Sequence, residues 1–426
     1  MYTIKRYQEM IEATELDSIF TSIYTDVNKA KKRLLSLIDE FKKEFKIDDN
    51  HEILCFSTPG RTEIIGNHTD HQHGKVLAGA ISQDIIAVGS LNNTNKIRLK
   101  SLGWNLIEMD INELEVYEKE KETTLALLRG IIASYHRKGY KPVGFDLICT
   151  SEVLPGSGLS SSAAIEVLIA MIASKFFKAE KVNNIEWAKI GKEAENIYFG
   201  KPCGLMDQMA CALGSIVYID FKDSENPIIE PLNFDLKDHN YSLCILDVGA
   251  SHANLTNAYA SIPKEMKEVA NYFDKQYLRE VEFEEFLSKV HEMKDKVSNR
   301  SILRALHFFS EQERVEAAVS AIKKNDLKAF LNYINESGKS SWMYLQNIYP
   351  DNDYTSQAMS VALALTKTFL KNEGALRVHG GGFAGTIQVF VENNKLSEYV
   401  SFIERYFGKG SCKVLTIRKL GAIVFE

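Results

Sequence analysis

The clearest hydrophobic pattern near the start of the chain lies in residues 28–45, NKAKKRLLSLIDEFKKEF. Four apolar side chains recur there at the spacing of one buried helix face: Leu34, Ile38, Phe41 and Phe45. The pattern therefore predicts an amphipathic helix. Residues 1–27, by contrast, are polar and weakly patterned, and we expect them to form an N-terminal extension with no assigned role.

Apolar runs between residues 53 and 150 predict strands in the segments ILCFS, DIIAVGSL, KIRLKSL and GFDLICT. A helical run covers 124–136 and ends at a Lys-Gly stop. Further helices are predicted in AAIEVLIAMIASKFF, at about 184–198 and in GLMDQMACALG, followed by strands in SIVYID and YSLCILD. Strands and helices thus alternate in mixed order, which indicates the α+β class.

The second half of the chain is predicted to be mostly helical to about residue 372 and to end with TIQVFV, a helix near 395–407, KVLTI and AIVFE. Residues 226–240 look like a loop and mark the best candidate for a domain boundary. The expected organisation is an extension at 1–27, an N-terminal domain at 28–225 and a C-terminal domain at 226–426.

Composition narrows the class of protein. The chain has 426 residues, 45% hydrophobic and 25% charged, with a net charge of −6 spread along its length, which argues against a nucleic-acid surface. The six cysteines form no CxxC pair and are expected to be free thiols. The N-terminus lacks a signal-peptide pattern, and no apolar run reaches the length of about 18 residues that a membrane span needs. We therefore expect a cytoplasmic monomer that binds neither membrane nor nucleic acid.

Three histidines and an aspartate fall within HTDHQH: His68, Asp70, His71 and His73. In an extended segment His71 and His73 would share one face, and His68 and Asp70 the other. A hydrolytic zinc site needs three or four convergent ligands, and the remaining histidines are isolated. From this stretch alone, a metal site and a hydrogen-bonding site both stay open.

The stretch LPGSGLSSSAA, residues 154–164, leads from a predicted strand into a long apolar helix. Gly156 and Gly158 allow the backbone to approach a ligand closely, and the serines occupy a helix start, where free N–H groups favour an anion. The absence of GK[ST] excludes a Walker A loop. A serine N-cap on an ordinary helix is the simpler alternative, but three consecutive serines exceed what capping requires.

Two more stretches have both a structural and a functional reading. The three glycines of HGGGFAGT, residues 379–386, fit either a tight turn or a backbone folded close to a ligand. In CGLMDQMACALG, Asp207 lies near a helix start, where an acid can simply complement the helix dipole.

Together, PGRTEIIGNHTDHQHG, LPGSGLSSSAA, KPCGLMDQ and HGGGFAGT follow the order and approximate spacing of motifs in the GHMP small-molecule kinases, and within that family the chain most resembles the galactokinases. The resemblance covers about residues 30–426. It implies a two-lobed fold, with an S5-like N-terminal domain, a ferredoxin-like C-terminal domain and the active site in the cleft between them. It also implies ATP-dependent phosphorylation of the anomeric hydroxyl of a hexose, giving galactose 1-phosphate if the sugar is galactose.

The resemblance also implies roles for individual residues. Asp207 matches the catalytic aspartate and Arg61 the arginine that accompanies it. Ser162 and Glu195 match the magnesium ligands. Sugar-contacting positions are matched by Asn67, His68, Asp70, Asp207 and Tyr259. The nucleotide phosphates are assigned to the loop residues Gly156, Ser157, Gly158, Leu159, Ser160, Ser161 and Ser162.

These roles are chemically consistent with one another. A sugar hydroxyl becomes a good nucleophile when an aspartate within hydrogen-bond reach takes its proton, and a nearby arginine stabilises developing charge. Mg²⁺ prefers oxygen ligands, and with helix-terminal N–H groups it neutralises the phosphate being transferred. The expected cosubstrate and cofactor are therefore ATP and Mg²⁺.

The chain departs from the galactokinase pattern within the first motif. Asn67 stands where galactokinases usually have a glutamate associated with the sugar 6-hydroxyl, His71 replaces a tyrosine, and Glu63 replaces an asparagine. Ser251 lies near the place of an arginine common in galactokinases. Because Asn67 carries no charge that would repel a carboxylate, galacturonate is an alternative to galactose. A non-catalytic sugar sensor on the same fold is a further alternative, disfavoured because GLSSSAA, Asp207 and Arg61 are all present.

Overall fold

The computed structural model describes residues 1–153, 158–201, 203–249, 255–351, 353–383 and 385–426. Its strands are Tyr2–Thr3 (β1), Glu52–Ile65 (β2), Lys75–Leu91 (β3), Lys96–Ser101 (β4), Ile107–Asp110 (β5), Phe145–Ser151 (β6), Ile216–Asp220 (β7), Ile228–Leu232 (β8), Tyr241–Asp247 (β9), Ala375–Val378 (β10), Thr386–Glu392 (β11), Cys412–Leu415 (β12) and Ile423–Val424 (β13).

The α-helices are Ile4–Glu12 (α1), Asp17–Ile23 (α2), Val27–Phe45 (α3), Thr124–Arg137 (α4), Ser161–Phe176 (α5), Asn184–Glu193 (α6), Met206–Leu213 (α7), Thr256–Tyr272 (α8), Phe283–Met293 (α9), Asn299–Lys323 (α10), Leu327–Ser340 (α11), Ala358–Leu370 (α12) and Leu396–Phe407 (α13). Two π-helical turns, Ala194–Phe199 and Ser341–Leu345, extend α6 and α11. Within the described chain no helix is both long and apolar enough to cross a membrane.

The larger sheet is built around β2 and β3, which pair antiparallel over most of their lengths. Its strand order is β1-β2-β3-β6-β4-β5, with β7 and β8 continuing from β3 and β13 paired to β2. The β2 register shifts between Pro59 and Arg61 and again between Glu63 and Ile65. These irregularities bend the strand where it enters the site described below.

Both faces of this sheet are covered. Along β2, Ile53 and Cys55 pack with the three N-terminal helices, whereas Leu54 and Phe56 belong to the core on the opposite face, which includes α5. Because successive strand side chains point to opposite faces, a strand buried on both sides is almost continuously apolar. This explains why residues 53–65 are all buried.

The smaller sheet has the order β10-β11-β9-β12, with antiparallel pairing throughout. Helices α12 and α13 pack on it in one hydrophobic cluster. A second cluster joins α8, α9 and α10. Helix α10 also contacts the larger sheet, so the two halves of the chain share an extensive boundary.

Most predicted elements are confirmed, including the helix at 28–45 and the α+β class. Residues 1–27, which are polar and weakly patterned in sequence, form α1 and α2; these helices bury Tyr7 and Phe20 against the sheet, and Phe20 stacks on Phe425 at 5.2 Å. The stretch 226–240 contains β8 rather than loop alone. Helix α1 buries Ile4, Tyr7, Met10 and Ile11 at helical spacing, whereas α2 and β8 are short, and tertiary packing decides their conformation.

Candidate active site

Arg61 and Asp207 meet at the centre of the candidate site. Arg61 Nε donates to Asp207 Oδ1 at 2.7 Å, and Nη2 donates to Oδ2 at 2.8 Å. Ser160 Oγ also donates to the Asp207 carboxylate. The third guanidinium nitrogen of Arg61, Nη1, donates to the Gly158 carbonyl at 2.5 Å. One arginine therefore joins the aspartate of KPCGLMDQ to the serine-rich loop.

The electrostatics of this pair favour an ionised aspartate. Burial alone would raise the pKa of Asp207, but the charge and hydrogen bonds of Arg61, with a further hydrogen bond from Ser160, outweigh burial and hold the pKa below its usual value. Asp207 lies in the first turn of α7, where the helix dipole also favours a negative charge. The carboxylate is thus able to accept a proton at neutral pH.

The described part of the serine-rich loop has a strained, closely packed backbone. Gly158 has φ +72°, and a Cβ there would lie 2.6 Å from Thr386 Oγ1. Ser160 adopts a left-handed φ of 56°, directly before α5 begins at Ser161. The buried Leu159 accepts a hydrogen bond from the Arg61 N–H at 3.1 Å. The loop therefore aims the start of α5 at the Arg61–Asp207 pair, while Gly156 and Ser157 lie outside the described residues.

The segment GNHTDHQHG, residues 66–74, which we call the signature segment, forms a turn at the end of β2. His68 has φ 57°, and Asp70–Gln72 form a single 3₁₀ turn. The extended conformation considered for this stretch was wrong, so His71 and His73 do not line one face. The turn places Asp70 Oδ2 against Gly204, where any Cβ would clash with it. Asp70 is thereby brought beside the loop that carries Asp207.

Asp70 and His68 are half-buried, and both have shifted pKa values because the surrounding protein removes most of their solvation. Burial, with the nearby charges of Asp207 and Glu63, raises the pKa of Asp70 to about 6. Burial lowers the pKa of His68 to about 4, although its Nε2 lies 3.0 Å from the Gly381 carbonyl. His68 is therefore neutral and hydrogen-bonds through its ring, a form suited to sugar hydroxyls as well as to backbone.

The histidine-rich segment does not assemble ligands for zinc. Over the described residues, no group of three histidine, cysteine, aspartate or glutamate side chains is placed to hold a metal ion. The His68 ring nitrogen Nε2 lies 3.0 Å from the Gly381 carbonyl, and the His73 ring stacks on Tyr277 at 3.6 Å. The turn therefore directs His68 and His73 to different neighbours.

Side-chain oxygens of the kind that Mg²⁺ prefers lie elsewhere, around Glu195. Glu195 is buried in the π-helical turn after α6, and its Oε2 accepts from Gln208 Nε2 at 3.0 Å. The same nitrogen donates to Glu166 Oε2 at 2.9 Å, while Glu166 Oε1 and Gln208 Oε1 are buried without a hydrogen-bond partner. Ser162 lies one helical turn before Glu166 on α5. These hard oxygen donors fit Mg²⁺.

The glycine-rich stretch before β11 connects the parts of the site. Its residues 380–382, here called the glycine turn, have φ +66° at Gly380 and +83° at Gly382. Tyr259 on α8 donates its hydroxyl to the Gly382 carbonyl at 3.0 Å, and its ring would clash with any Cβ at Gly381. Gly381 and Gly382 are required because the Tyr259 ring and the Asn347 backbone approach so closely, whereas the positive φ favours glycine at position 380. Ser251 lies outside the described residues.

Asn67 is fully buried in this region. Its Nδ2 donates to the Gly380 carbonyl at 2.7 Å and lies 3.0 Å from Glu63 Oε1. Its Oδ1 accepts from Asn347 Nδ2 at 2.8 Å. The structure thus brings Arg61, Asp207, Asp70, His68 and the serine loop together, with Tyr259 and Asn67 behind the glycine turn.

Sequence reasoning missed several residues of this arrangement. Arg377 is fully buried and donates to Glu63 Oε1 at 2.7 Å. Lys201 lies 3.2 Å from Glu195 Oε1 and contributes to the lowered pKa of Asp207. Gln208 donates to both Glu166 and Glu195 and so links the two carboxylates. A charged residue in an otherwise apolar run, as at Glu166 and Arg377, was the available signal.

Comparison with known proteins agrees with this geometry. The family model described as the galactokinase galactose-binding signature matches residues 39–91, and the GHMP kinases N terminal domain matches residues 126–215. A galactokinase of Clostridium tetani is 30% identical over 379 residues, covering 87% of this chain and 93% of the relative. A galactokinase of Glaesserella parasuis is 31% identical over 358 residues, covering 82% and 88%.

Solved structures show the same fold. The crystal structure of Lactococcus lactis galactokinase complexed with galactose superimposes with a TM-score of 0.78 at 25% identity, covering 91% of this chain and 98% of that one. Mevalonate kinase from Methanococcus jannaschii shares the fold at 15% identity, with a TM-score of 0.61. The resemblance inferred from the four motifs, and the two-lobed fold that it implied, are confirmed: the chain belongs to the galactokinase family of the GHMP kinases.

Proposed function

We propose that this protein is a sugar 1-kinase that transfers the γ-phosphate of ATP to the anomeric hydroxyl of galactose, giving galactose 1-phosphate and ADP. The observation that carries the proposal is the Arg61–Asp207 pair at 2.7 and 2.8 Å, located between the start of α5 and Asp70. The proposal assigns the role of base to Asp207, that of anion-binding site to the start of α5, and that of sugar-binding carboxylate to Asp70.

In the proposed reaction, the C1 oxygen of the sugar attacks the γ-phosphorus as its proton passes to an Asp207 oxygen. The bond from the γ-phosphorus to the β–γ bridging oxygen breaks, and its electrons leave with ADP. Arg61 keeps the carboxylate ionised and lies where it can also approach the phosphate being transferred. Most of the catalytic effect then comes from positioning and charge stabilisation.

We assign the phosphates of ATP to residues 156–162. In the described portion, the N–H groups at the start of α5 and the hydroxyls of Ser161 and Ser162 are the available donors, whereas the Ser160 hydroxyl donates to Asp207. Ser162 and Glu195 would hold Mg²⁺, which when bound neutralises the phosphate charge. Glu166 and Gln208 would orient Glu195 from behind.

We assign the sugar to the region around Asp70, His68 and Asp207, with Tyr259 supporting the glycine turn. Asp70 can accept two sugar hydroxyls when ionised, and neutral His68 can exchange its backbone partner for a hydroxyl. Galactose is favoured over galacturonate because Arg377, which could pair with a sugar carboxylate, is already bonded to Glu63 and to the Ile64 carbonyl.

A substrate panel tests the proposal. Purified protein with ATP and Mg²⁺ is assayed for ADP release against galactose, glucose, mannose, N-acetylgalactosamine and galacturonate. Galactose is expected to give the highest kcat/KM. A preference for galacturonate would change the substrate and leave the reaction class intact. The absence of transfer to every sugar would exclude the kinase and favour a sensor.

A further inference from the structure

The side chain of Asn67 has no hydrogen-bonding group left for a substrate. Its amide nitrogen serves the Gly380 carbonyl at 2.7 Å and the Glu63 carboxylate at 3.0 and 3.2 Å. Its amide oxygen accepts from Asn347 at 2.8 Å. Its exposed fraction is 0%, so it presents no surface to a ligand. An amide has two donors and one acceptor oxygen, and each is used here.

The partners of Asn67 come from separate parts of the chain. Glu63 lies on β2, Gly380 is in the glycine turn, and Asn347 follows the π-helical turn after α11. The backbone carbonyl of Asn67 also accepts from His307 Nε2 on α10 at 2.9 Å. A single residue therefore ties the signature segment to three elements of the second half of the chain.

Glu63 completes the arrangement from β2. It is buried, with 3% exposed, and its Oε1 accepts from Arg377 Nη2 at 2.7 Å. Arg377 is fully buried and also donates to the Ile64 carbonyl at 2.7 Å. A buried carboxylate is stable only when its oxygens are paired, and Asn67 supplies the second donor.

We propose that Glu63 and Asn67 act as one positioning pair, which fixes the signature segment against the glycine turn and does not contact the sugar. The inference rests on the proposed kinase function. It also explains why two departures from the galactokinase pattern occur together. Galactokinases usually have an asparagine at position 63 and a glutamate at position 67, and this chain has the acid at 63 and the amide at 67, so an acid–amide pair is kept. The next residue, His68, bonds Gly381 at 3.0 Å, so the pair sets its orientation and that of Asp70.

The pair makes a prediction about the C6 position of the sugar. If Asn67 contacted the 6-hydroxyl, its removal would abolish discrimination between galactose and 6-deoxygalactose. If it only positions the segment, both sugars should lose activity by the same factor. In Asn67→Ala we expect kcat/KM to fall for both, on the order of tenfold or more, with their ratio unchanged within about twofold.

A double exchange tests whether the two residues form a unit. Asn67→Glu alone removes both donors and places two carboxylates together in a buried site, so it should lower the thermal midpoint and weaken sugar use on the order of 10²-fold. Glu63→Asn combined with Asn67→Glu restores an acid–amide pair. It should recover at least about tenfold of that loss, together with most of the thermal midpoint.

The control is Asn335→Ala. Asn335 also bridges backbone groups, donating to Gly374 and accepting from Leu376, but it lies away from the signature segment. It should lower the thermal midpoint without changing KM for either sugar. The proposal is disproved if, in Asn67→Ala, the ratio of kcat/KM for galactose to that for 6-deoxygalactose falls toward one. It is also disproved if Glu63→Asn and Asn67→Glu have additive effects on the thermal midpoint. The thermal midpoints test the positioning pair without any measurement of turnover. An inactive wild-type protein would therefore overturn the proposed kinase function without deciding whether the pair exists.

Discussion

Arg61 and Asp207 are 146 positions apart and form a two-pronged ion pair, with Nε–Oδ1 at 2.7 Å and Nη2–Oδ2 at 2.8 Å. The arginine that keeps the aspartate ionised also makes it a weak base, because it holds the pKa of Asp207 below the usual value. Proton transfer should therefore come late, when bond formation to phosphorus has made the sugar hydroxyl acidic. Base strength matters less in this site than exact placement.

Asp207→Asn should reduce kcat on the order of 10²-fold or more, because an amide keeps the shape and cannot take a proton. ATP binding should change little, since the phosphates are assigned to the serine loop. Steady-state kinetics and a nucleotide-binding titration measure the two effects. Turnover within a few-fold of wild type would show that Arg61 and the metal suffice.

Asp146→Asn provides a matched control for this variant. Arg98 donates to Asp146 at 2.7 and 2.6 Å in the same two-pronged manner, at the opposite end of the larger sheet. Its loss should lower stability and leave kcat unchanged. Equal effects of the two variants on turnover would mean that a broken ion pair, and not a lost base, explains the result.

Asp70 should govern the acid side of the pH profile. Its pKa is raised to about 6, so it becomes protonated as pH falls through 6, whereas Asp207 stays ionised in that range. The kcat/KM for galactose at saturating ATP should therefore fall below about pH 6. Asp70→Asn should lower the plateau and remove that transition.

The same shift has a stability consequence of known sign. The pKa of Asp70 is higher in the folded than in the unfolded protein, so protonation of Asp70 stabilises the folded state. This stabilisation is fully present below about pH 4 and is lost as pH rises through about 6. Asp70→Asn should thus raise the urea midpoint more at pH 7.5 than at pH 4.5.

An unchanged pH profile of kcat/KM in Asp70→Asn would show that another group causes the loss of activity at acid pH.

Glu166 should control metal affinity without touching the sugar. Burial and the neighbouring Glu195 raise its pKa, and Gln208 links the two carboxylates at 2.9 and 3.0 Å. Glu166→Ala frees Gln208 and should raise the Mg²⁺ concentration for half-maximal activity about 10- to 100-fold, with KM for galactose unchanged. Mn²⁺ binding followed by electron paramagnetic resonance gives a readout independent of turnover.

Glu120→Gln is the control for a lost buried carboxylate, since Glu120 pairs with Arg129 away from the site. It should lower thermal stability and leave Mn²⁺ affinity unaltered. If Glu166→Ala also left Mn²⁺ affinity unaltered, Glu166 would have only a packing role.

The N-terminal helices should contribute to stability and not to chemistry. Phe20 is fully buried and stacks on Phe425 at 5.2 Å, beside the β13–β2 pairing. Phe20→Ala should cost about 3–5 kcal/mol of unfolding free energy, measured with urea. Below its unfolding transition the variant should keep wild-type kinetics. Tyr406→Ala, at a position 59% exposed, is the matched control and should cost little.

The sequence predicted elements wherever a period was long enough to read. The helix at 28–45 carries one apolar face over several turns, and the structure has α3 at Val27–Phe45. In contrast, β2 runs unbroken from Glu52 to Ile65, beyond the predicted strand ILCFS and through Pro59 and Gly60. Register shifts at those positions absorb the irregularity, and only the paired strands reveal it.

Contacts within the site were harder to predict than its members. The motifs identified Arg61 and Asp207, but their pairing depends on α7 packing against β2. Asn67 illustrates the limit more sharply. Considered alone, the asparagine at position 67 suggested a change in sugar specificity. The structure shows that its side chain is hydrogen-bonded to Glu63, Gly380 and Asn347. Gly380 and Asn347 are distant in sequence, and no pattern in the sequence linked Asn67 to Glu63.

The most direct test of the central claim is to identify the product formed from galactose. Wild-type protein is incubated with galactose, ATP and Mg²⁺, and the mixture is followed by ³¹P NMR, with Asp207→Asn in parallel. The account predicts a phosphomonoester on the anomeric carbon, galactose 1-phosphate, formed together with ADP in equal amounts and at least about 10²-fold more slowly in the variant. ADP without a sugar phosphate, a phosphate on another carbon, or equal rates in both proteins would contradict it.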